Sequence, residues 1–141
     1  MKEEPKKTVL FLCWGNACRS IMAEALTKHY WGDRVEALSS GISPLGYIPQ
    51  ETLMVLEEVG VSTQGLRSKR MKGLDLESVD LVVNLSGTSL EGRLPPELAG
   101  KRVIDWYIRD PYGENLDSFR RTRDAIEWLI TEKLPKWLEE V

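Results

Sequence analysis

A cysteine and an arginine near the start of the chain have a spacing typical of a loop that holds an oxyanion. Cys13 follows the apolar stretch 9–12, and Arg19 closes the segment after five intervening residues. One turn of this length can direct its backbone N–H groups inward, where the N-terminus of a following helix adds partial positive charge. Arg19 adds a planar, two-pronged donor. The same field would stabilise a Cys13 thiolate, which is a nucleophile aimed at a bound phosphorus.

The elements that must position this loop alternate between strand and helix. Short apolar runs predict four strands, at 8–12, 34–39, 80–85 and 101–105. Apolar residues at helical spacing predict three main helices, at 20–30, at 49–59 and from Asp117 to the C-terminus. A short helical piece is also predicted at 69–72. Pro135 is expected to kink or end the last helix near Leu134, because proline cannot donate the helical hydrogen bond.

This alternation predicts an α/β fold with a parallel sheet. We expect one domain over residues 1–141, in which a four-stranded parallel sheet is flanked by helices on both faces. The length of 141 residues suits a single core. Residues 1–7 are charged, contain Pro5 and are expected to be flexible.

The composition argues against several other classes of protein. A net charge of −3 without a long basic run gives little support for nucleic-acid binding. The apolar stretch 9–12 is too short for a signal peptide or a membrane span, so no membrane association and a cytoplasmic location are expected. Both cysteines lie in one loop and the chain has one histidine, so neither a disulfide framework nor a zinc site is predicted.

A phosphoryl-transfer site also needs a proton donor for the leaving group. Open parallel sheets bind ligands at the carboxyl ends of their strands, where Cys13 would lie. Asp105 ends the fourth predicted strand, and Asp110 follows it at a short distance. Together with Cys13 and Arg19, such an aspartate would complete a set of nucleophile, oxyanion cradle and general acid.

Several stretches resemble one family. Residues 13–20, followed by Met22-Ala23-Glu24-Ala25, resemble the low-molecular-weight protein tyrosine phosphatases and, equally, the arsenate reductases of the same fold. Residues 39–41 resemble the family's Ser-Ala-Gly turn, and residues 110–113 resemble its general-acid motif. The order and spacing match over nearly the whole chain. The resemblance implies the phosphotyrosine phosphatase I-like fold, which is a flavodoxin-like three-layer sandwich.

The resemblance also implies a catalytic role for three residues. Cys13 would attack phosphorus and form a phosphocysteine, while Arg19 would hold two equatorial oxygens. Asp110 would protonate the leaving phenolate and then activate water. A place in the phosphate-binding pocket is implied for Trp14, Gly15, Asn16, Ala17, Cys18, Ser20 and Tyr112.

Further implied roles concern the shape of the pocket. Asn16 would hold the loop in a left-handed turn, a conformation that asparagine tolerates. Ser20 and Ser39 would brace the loop, with the Ser20 hydroxyl near the thiolate. Trp14 and Tyr112 would form aromatic walls for a flat substrate. The chemistry requires no metal and no organic cofactor.

The chain departs from the family at three positions. Arsenate reductases that recycle through thioredoxin carry two further cysteines after the third strand, where this chain has Ser86 and Arg93. Since only Cys13 and Cys18 exist, an internal three-cysteine relay is impossible. Leu66 takes the place of a histidine that braces the loop in many family phosphatases.

Three functions therefore remain open. The leading hypothesis is a protein tyrosine phosphatase that hydrolyses phosphotyrosine proteins or small aryl phosphates through a cysteinyl-phosphate. The second is an arsenate reductase in which Cys18 or an external thiol reductant resolves the adduct on Cys13. Cys18 could alternatively be structural, or form a reversible disulfide with Cys13. The third is a non-catalytic binder of phosphate or phosphotyrosine.

Overall fold

The computed structural model describes residues 5–141, which form a parallel sheet with helices packed against it. The strands are β1 (Lys7–Cys13), β2 (Val35–Gly41), β3 (Leu81–Asn84) and β4 (Arg102–Asp105). They lie side by side in the order β2-β1-β3-β4. The helices are α1 (Arg19–Trp31), α2 (Gln50–Glu58), α3 (Leu116–Glu132) and α4 (Leu134–Leu138). The predicted α/β fold with a four-stranded parallel sheet is confirmed.

β1 lies at the centre of the sheet because its side chains are apolar on both faces. Residues 9–12 have no exposed surface. The strand pairs with β2, where Cys13 lies opposite Gly41, and with β3, where Leu12 lies opposite Asn84. This register places Cys13 at the carboxyl edge of the sheet, which is the ligand-binding edge of open parallel sheets.

The two layers that cover the sheet are built differently. On one face, Val9 and Phe11 pack with buried residues of α1, α2 and α3. On the other face, Leu10 and Leu12 pack against leucines, valine and methionine of the segment 71–98. The helical part of that segment is a 3-10 helix at Pro96–Leu98. The third layer of the sandwich is therefore made of loops and one helical turn.

The chain also differs from expectation in its local structure. The helix predicted at 69–72 is wrong, because the backbone there pairs with the end of β2 instead. Gly41 N donates to Lys69 O at 2.9 Å, and Arg70 forms a parallel bridge with Gly41. Lys7 already belongs to β1, and residues 1–4 of the expected flexible segment lie outside the described residues.

The last predicted helix is divided in two, as Pro135 indicates. α3 ends at Glu132, and α4 begins at Leu134 with Pro135 in its first turn. A proline is accepted in a first helical turn, where its missing N–H group has no partner to lose. None of the helices in residues 5–141 is both long and apolar enough to cross a membrane.

α3 begins at a side-chain cap and closes the helical layer. The Asn115 side-chain oxygen accepts a hydrogen bond from Ser118 N at 3.0 Å. Past the first turn, Phe119, Ile126 and Ile130 are buried against the sheet and α1. The cap therefore fixes where the longest helix of the chain starts to cover the core.

We expect Asn115→Ala to lower the free energy of unfolding by about 1 kcal/mol, because it leaves an N–H group at the start of α3 without its acceptor. Urea denaturation should show a lower midpoint with an unchanged slope. Asn115→Asp keeps the acceptor and should retain most of the stability. Equal midpoints for the alanine variant and the wild type would show that the cap contributes nothing.

Candidate active site

In the loop after Cys13, the backbone carbonyl groups accept hydrogen bonds from the protein, whereas the backbone N–H groups do not donate any to the described residues. Within the described chain, the N–H groups of residues 14–18 have no protein acceptor. In contrast, Trp14 O and Gly15 O accept hydrogen bonds from Ser43 N and Leu45 N at 2.8 and 3.0 Å, and Ala17 O accepts from the Thr52 hydroxyl at 2.9 Å. Since α1 begins at Arg19, its unpaired first N–H groups add to this set of donors. The loop can therefore cradle an anion.

Asn16 fixes the shape of this loop. Its φ of 46° is the only left-handed one among non-glycine residues of the described chain. The side chain is fully buried. Its Nδ2 donates to Ser20 Oγ at 2.7 Å, and its Oδ1 accepts from Lys69 N at 2.8 Å. Two tertiary hydrogen bonds thus hold a backbone conformation that asparagine adopts more readily than most residues.

Gly41 packs against the same loop from the end of β2. A Cβ atom at this position would lie 2.9 Å from Asn16 N and 3.0 Å from Asn16 Cβ. Such contacts are too short for ordinary carbon atoms, so a larger residue would push the loop away. Ser39, Ser40 and Gly41 are the last residues of β2 and not a turn, and the glycine is therefore required by close packing.

Cys13 Sγ lies 2.9 Å from Ser20 Oγ, and only 2% of the cysteine is exposed. Ser20 Oγ accepts from Asn16 Nδ2 at 2.7 Å, and its own hydroxyl hydrogen is available for the sulfur. A thiolate can only accept, so Ser20 is placed to donate to the attacking form of Cys13. Asn16, Ser20 and Cys13 thus form a chain of hydrogen bonds that ends on the nucleophile predicted from sequence.

Arg19 is buried beside the loop, and the Nε–Nη2 edge of its guanidinium contacts the described part of the protein only through Nη2, which faces Asp110. Nη1 donates to Leu85 O at 2.8 Å and to Ile108 O at 3.1 Å. Nη2 lies 3.3 Å from a carboxylate oxygen of Asp110. Nε is buried and has no partner among the described residues. The Nε–Nη2 edge is the one that can hold two oxygens of an anion.

Asp110 is the carboxyl group that reaches Arg19, and Asp105 is not. Asp110 Oδ1 accepts from Tyr112 N at 3.1 Å, while its Oδ2 faces Arg19 and half of the side chain stays exposed. Asp105 Oδ1 instead accepts from Asn84 Nδ2 at 2.8 Å. The structure therefore brings one of the two candidate acids to the loop and holds the other at β3.

The two aromatic residues predicted to wall the pocket are about half exposed, and each has a partner that sequence reasoning missed. Trp14 is 43% exposed, and the Arg93 guanidinium lies 5.3 Å from the centre of its ring. The Tyr112 hydroxyl is hydrogen-bonded to the Tyr47 hydroxyl. Arg93 and Tyr47 lie on irregular segments, where no periodicity of sequence could have indicated these contacts.

Cys18 faces the core. The residue is 3% exposed and belongs to the apolar cluster beneath the helical layer. Burial raises the pKa of this thiol from 9.0 to about 12. Cys18 therefore stays a neutral thiol at physiological pH, and only its backbone can take part in the anion cradle.

A buried charged cluster made of Glu24, Ser39 and Lys69 joins α1, β2 and the segment after residue 66. The Glu24 carboxylate accepts from the Ser39 hydroxyl and lies 3.4 Å from Lys69 Nζ. Lys69 Nζ also donates to Ser39 Oγ at 3.1 Å and to Arg67 O at 3.2 Å. Burial lowers the pKa of Lys69. Ser39 thus supports the loop through this cluster and makes no side-chain bond to the loop itself.

This chain has Leu66 in place of the histidine that braces the loop in many family phosphatases, and the segment that carries the cluster braces the loop instead. Leu66 is half-buried against the core, and the backbone N–H of Lys69 supplies the hydrogen bond to Asn16. Lys69 and Glu24 were not singled out from sequence. A signal for Glu24 was available, because it lies four residues after Ser20 between two alanines of a helix that is buried on this side.

The matching family model and the proteins of similar sequence are named for different reactions. A family model described as low molecular weight phosphotyrosine protein phosphatase matches residues 8–141. Arsenate reductase 1 of Bacillus cereus is 40% identical over 125 residues, which cover 87% of this chain and 90% of that protein. The glutaredoxin arsenate reductase of a Synechocystis species is 30% identical over 131 residues, which cover 92% of this chain and 98% of that protein.

Solved structures show the same division. An arsenate reductase in the phosphate binding state matches with a TM-score of 0.82 at 29% identity, covering 92% of this chain and 98% of that one. A low molecular weight protein tyrosine phosphatase from T. tengcongensis matches with a TM-score of 0.76 at 28% identity, covering 96% of this chain and all of the other.

The role of Asn16 can be tested with two substitutions. Asn16→Ala removes both side-chain hydrogen bonds and keeps a Cβ in a left-handed backbone, whereas Asn16→Gly removes the bonds without that strain. We expect the alanine variant to be less stable than the glycine variant by about 1 kcal/mol in urea denaturation. Both should be less stable than the wild type, since Lys69 N loses its acceptor. Equal stability of the two variants would show that the backbone is not strained.

The burial of Cys18 predicts its reactivity towards alkylation. In a Cys13→Ser protein at pH 8, iodoacetamide should leave Cys18 unmodified, because a thiol with a pKa of about 12 is protonated there and is also inaccessible. In urea the pKa returns towards 9.0 and alkylation should proceed. Mass spectrometry of tryptic peptides reads the result. Rapid alkylation of the folded protein at pH 8 would contradict the described burial.

Proposed function

Because the chain belongs to the low molecular weight phosphotyrosine protein phosphatase family, we propose that it is an enzyme in which Cys13 attacks tetrahedral oxyanions. The observation that carries the proposal is the 2.9 Å contact from Ser20 Oγ to Cys13 Sγ. It supplies a donor to the thiolate directly beside the unpaired N–H groups of the loop. The Nε–Nη2 edge of Arg19, whose Nε has no partner among the described residues, would then hold the anion over the sulfur.

The reaction that this chain's own residues complete is hydrolysis of a phosphomonoester. In the first step, the Cys13 thiolate attacks phosphorus, and the bond from phosphorus to the ester oxygen breaks. Asp110 gives its proton to the departing oxygen. Arg19 and the loop N–H groups stabilise the charge on the equatorial oxygens during the transfer. The product is a cysteinyl-phosphate and a free alcohol or phenol.

The second step returns the enzyme to its starting state. The Asp110 carboxylate takes a proton from water, and the water oxygen attacks the cysteinyl-phosphate. The sulfur–phosphorus bond breaks, which restores the Cys13 thiolate and releases phosphate. The aromatic rings of Trp14 and Tyr112 at the mouth favour a flat substrate such as phosphotyrosine or an aryl phosphate.

Arsenate reduction is a second candidate, and the names of the similar proteins favour it over hydrolysis. Arsenate is a tetrahedral oxyanion that fits the same cradle. The Cys13 thiolate would bond to arsenic with loss of water. A second thiolate would then attack the Cys13 sulfur, so that arsenite leaves with the electron pair of the sulfur–arsenic bond and a disulfide forms. Another thiol would reduce that disulfide.

The resolving thiol for that reaction would come from outside the chain. Cys18 is the one other cysteine, and its raised pKa keeps it protonated and poorly nucleophilic. Ser86, where some reductases have a cysteine, is engaged through its hydroxyl with Asn84. The similarity to a protein named a glutaredoxin arsenate reductase supports a thiol-protein partner of that kind.

Replacing the nucleophile and the acid tests hydrolysis. We expect Cys13→Ser to reduce the turnover of p-nitrophenyl phosphate to background. Asp110→Asn should lower kcat by roughly 10²–10⁴-fold, more for phenyl phosphate than for p-nitrophenyl phosphate, because the poorer leaving group depends more on protonation. Asp105→Asn is the matched control and should retain activity. Equal loss in the two aspartate variants would rule out a specific role for Asp110.

Parallel assays decide between the candidate reactions. Arsenite production from arsenate is measured with glutathione and glutaredoxin, then with thioredoxin. Reduction that is absent in Cys13→Ser and requires the added thiol would establish the second candidate. Saturable binding of phosphate by calorimetry without turnover of any substrate would instead identify a non-catalytic binder.

A further inference from the structure

A short basic segment, residues 67–72, lies beside the catalytic loop. Arg67, Lys69, Arg70 and Lys72 fall within it, and it contains no acidic residue. Lys69 is paired with Glu24. The other three side chains are exposed and have no ion-pair partner within residues 5–141. Because the whole chain has a net charge of −3, this segment is a local concentration of the opposite sign.

The basic segment lines a groove on the surface. The groove has a volume of about 350 Å³ and is lined by residues 67–70 and 72–74. Its lining includes four cationic side chains and neither an acidic nor an aromatic one. Its charge suits a negatively charged chain more than an apolar ligand.

Hydrogen bonds attach the basic segment directly to the loop that follows Cys13. The Ser68 hydroxyl donates to Gly15 O at 3.1 Å, and Lys69 N donates to Asn16 Oδ1 at 2.8 Å. Arg70 and Lys72 follow Ser68 by two and four residues, which is at most about 7 and 14 Å of extended chain. A peptide with its phosphorylated residue over Cys13 would therefore meet these cations within a few residues.

We propose that the basic segment docks an acidic stretch of a protein substrate that lies next to the phosphorylated residue. This inference rests on the proposed phosphatase function and specifies its substrate class. Acidic side chains two to four residues from the phosphorylated one would lie opposite Arg67, Arg70 and Lys72. Complementary charge at the rim of a site mainly strengthens encounter and specificity, so the effect falls on KM.

A nucleic acid is the less suitable partner for this groove. Proteins that bind single strands stack bases on aromatic side chains, and the groove lining has none. Three unpaired cations are also fewer than the roughly 6–10 phosphate contacts of a typical DNA-binding protein. An acidic peptide needs only a few such contacts, because the phosphorylated residue supplies the rest of the binding.

Two phosphotyrosine peptides of equal length test the proposal. One carries glutamate at positions two to four residues from the phosphotyrosine on both sides, and the other carries alanine there. We expect a KM about tenfold lower for the glutamate peptide at low salt, with a similar kcat. The difference should vanish near 1 M NaCl, where the Debye length is about 3 Å. Equal KM values at low salt would overturn the proposal.

Charge-reversal variants test whether the basic segment causes the preference for the glutamate peptide. Arg70→Glu/Lys72→Glu should raise KM for the glutamate peptide about tenfold or more and remove the preference over the alanine peptide. The matched control is Arg34→Glu/Lys136→Glu, which makes the same charge change at exposed positions. Arg34 immediately precedes β2, so it lies at the opposite edge of the sheet from Cys13. A loss of preference in the control variant would contradict docking at residues 67–72.

A binding measurement separates this inference from the proposed chemistry. Fluorescence anisotropy reports binding of the unphosphorylated glutamate peptide without any turnover. Salt-sensitive binding that is lost in Arg70→Glu/Lys72→Glu would support docking even if no phosphopeptide were hydrolysed. Hydrolysis of both peptides without such binding would overturn docking and leave the phosphatase proposal intact. Tighter binding of a single-stranded oligonucleotide at the same residues would also overturn it.

Discussion

The left-handed backbone at Asn16 is the constraint on which the rest of the site depends. The loop must turn sharply after β1 to leave its N–H groups free, and Asn16 makes that turn. Its side chain then bonds on one side to Ser20, which orients the hydroxyl against Cys13, and on the other to the backbone of Lys69. Backbone shape, nucleophile and supporting segment are thus linked through one buried amide.

Two cationic side chains flank this loop, the buried Arg19 and the partly buried Lys69, and their charges are balanced differently. The Lys69 ammonium is surrounded by Glu24, Ser39 and a backbone carbonyl, so its charge is balanced within the protein. The Arg19 guanidinium keeps a buried Nε without a partner among the described residues, and its one carboxylate partner there is half exposed. An unpaired buried donor is unfavourable until an acceptor binds. A bound oxyanion would give Nε an acceptor, which ties anion affinity to stability.

The sequence was sufficient for features set by local pattern. Apolar runs located all four strands, and the spacing from Cys13 to Arg19 predicted a loop that the structure places at the carboxyl edge of the sheet. Features set by distant contacts were missed. The local pattern of residues 69–72 predicts a helix, yet residue 70 pairs with the end of β2 and a bend and a turn follow, because Gly41 and Asn16 form hydrogen bonds with the backbone of Lys69. Likewise, the contact of Tyr47 with Tyr112 depends on the packing of two loops that no local pattern describes.

The helical layer and the loop-built layer constrain their side chains differently, which affects where the sequence of such a protein can change. Ser20, which contacts Cys13, lies on α1 in the helical layer, where the neighbouring side chains are buried. Ser86 and Arg93 lie in the irregular segments that follow β3 and lead into the loop-built layer. The Arg93 side chain packs on Trp14 and is not part of the core. Under the proposed function, substitutions there would change the groups that meet the adduct on sulfur and would leave Cys13 and Ser20 in place. The proposed attack and the proposed resolution of the adduct would then depend on different layers of the fold.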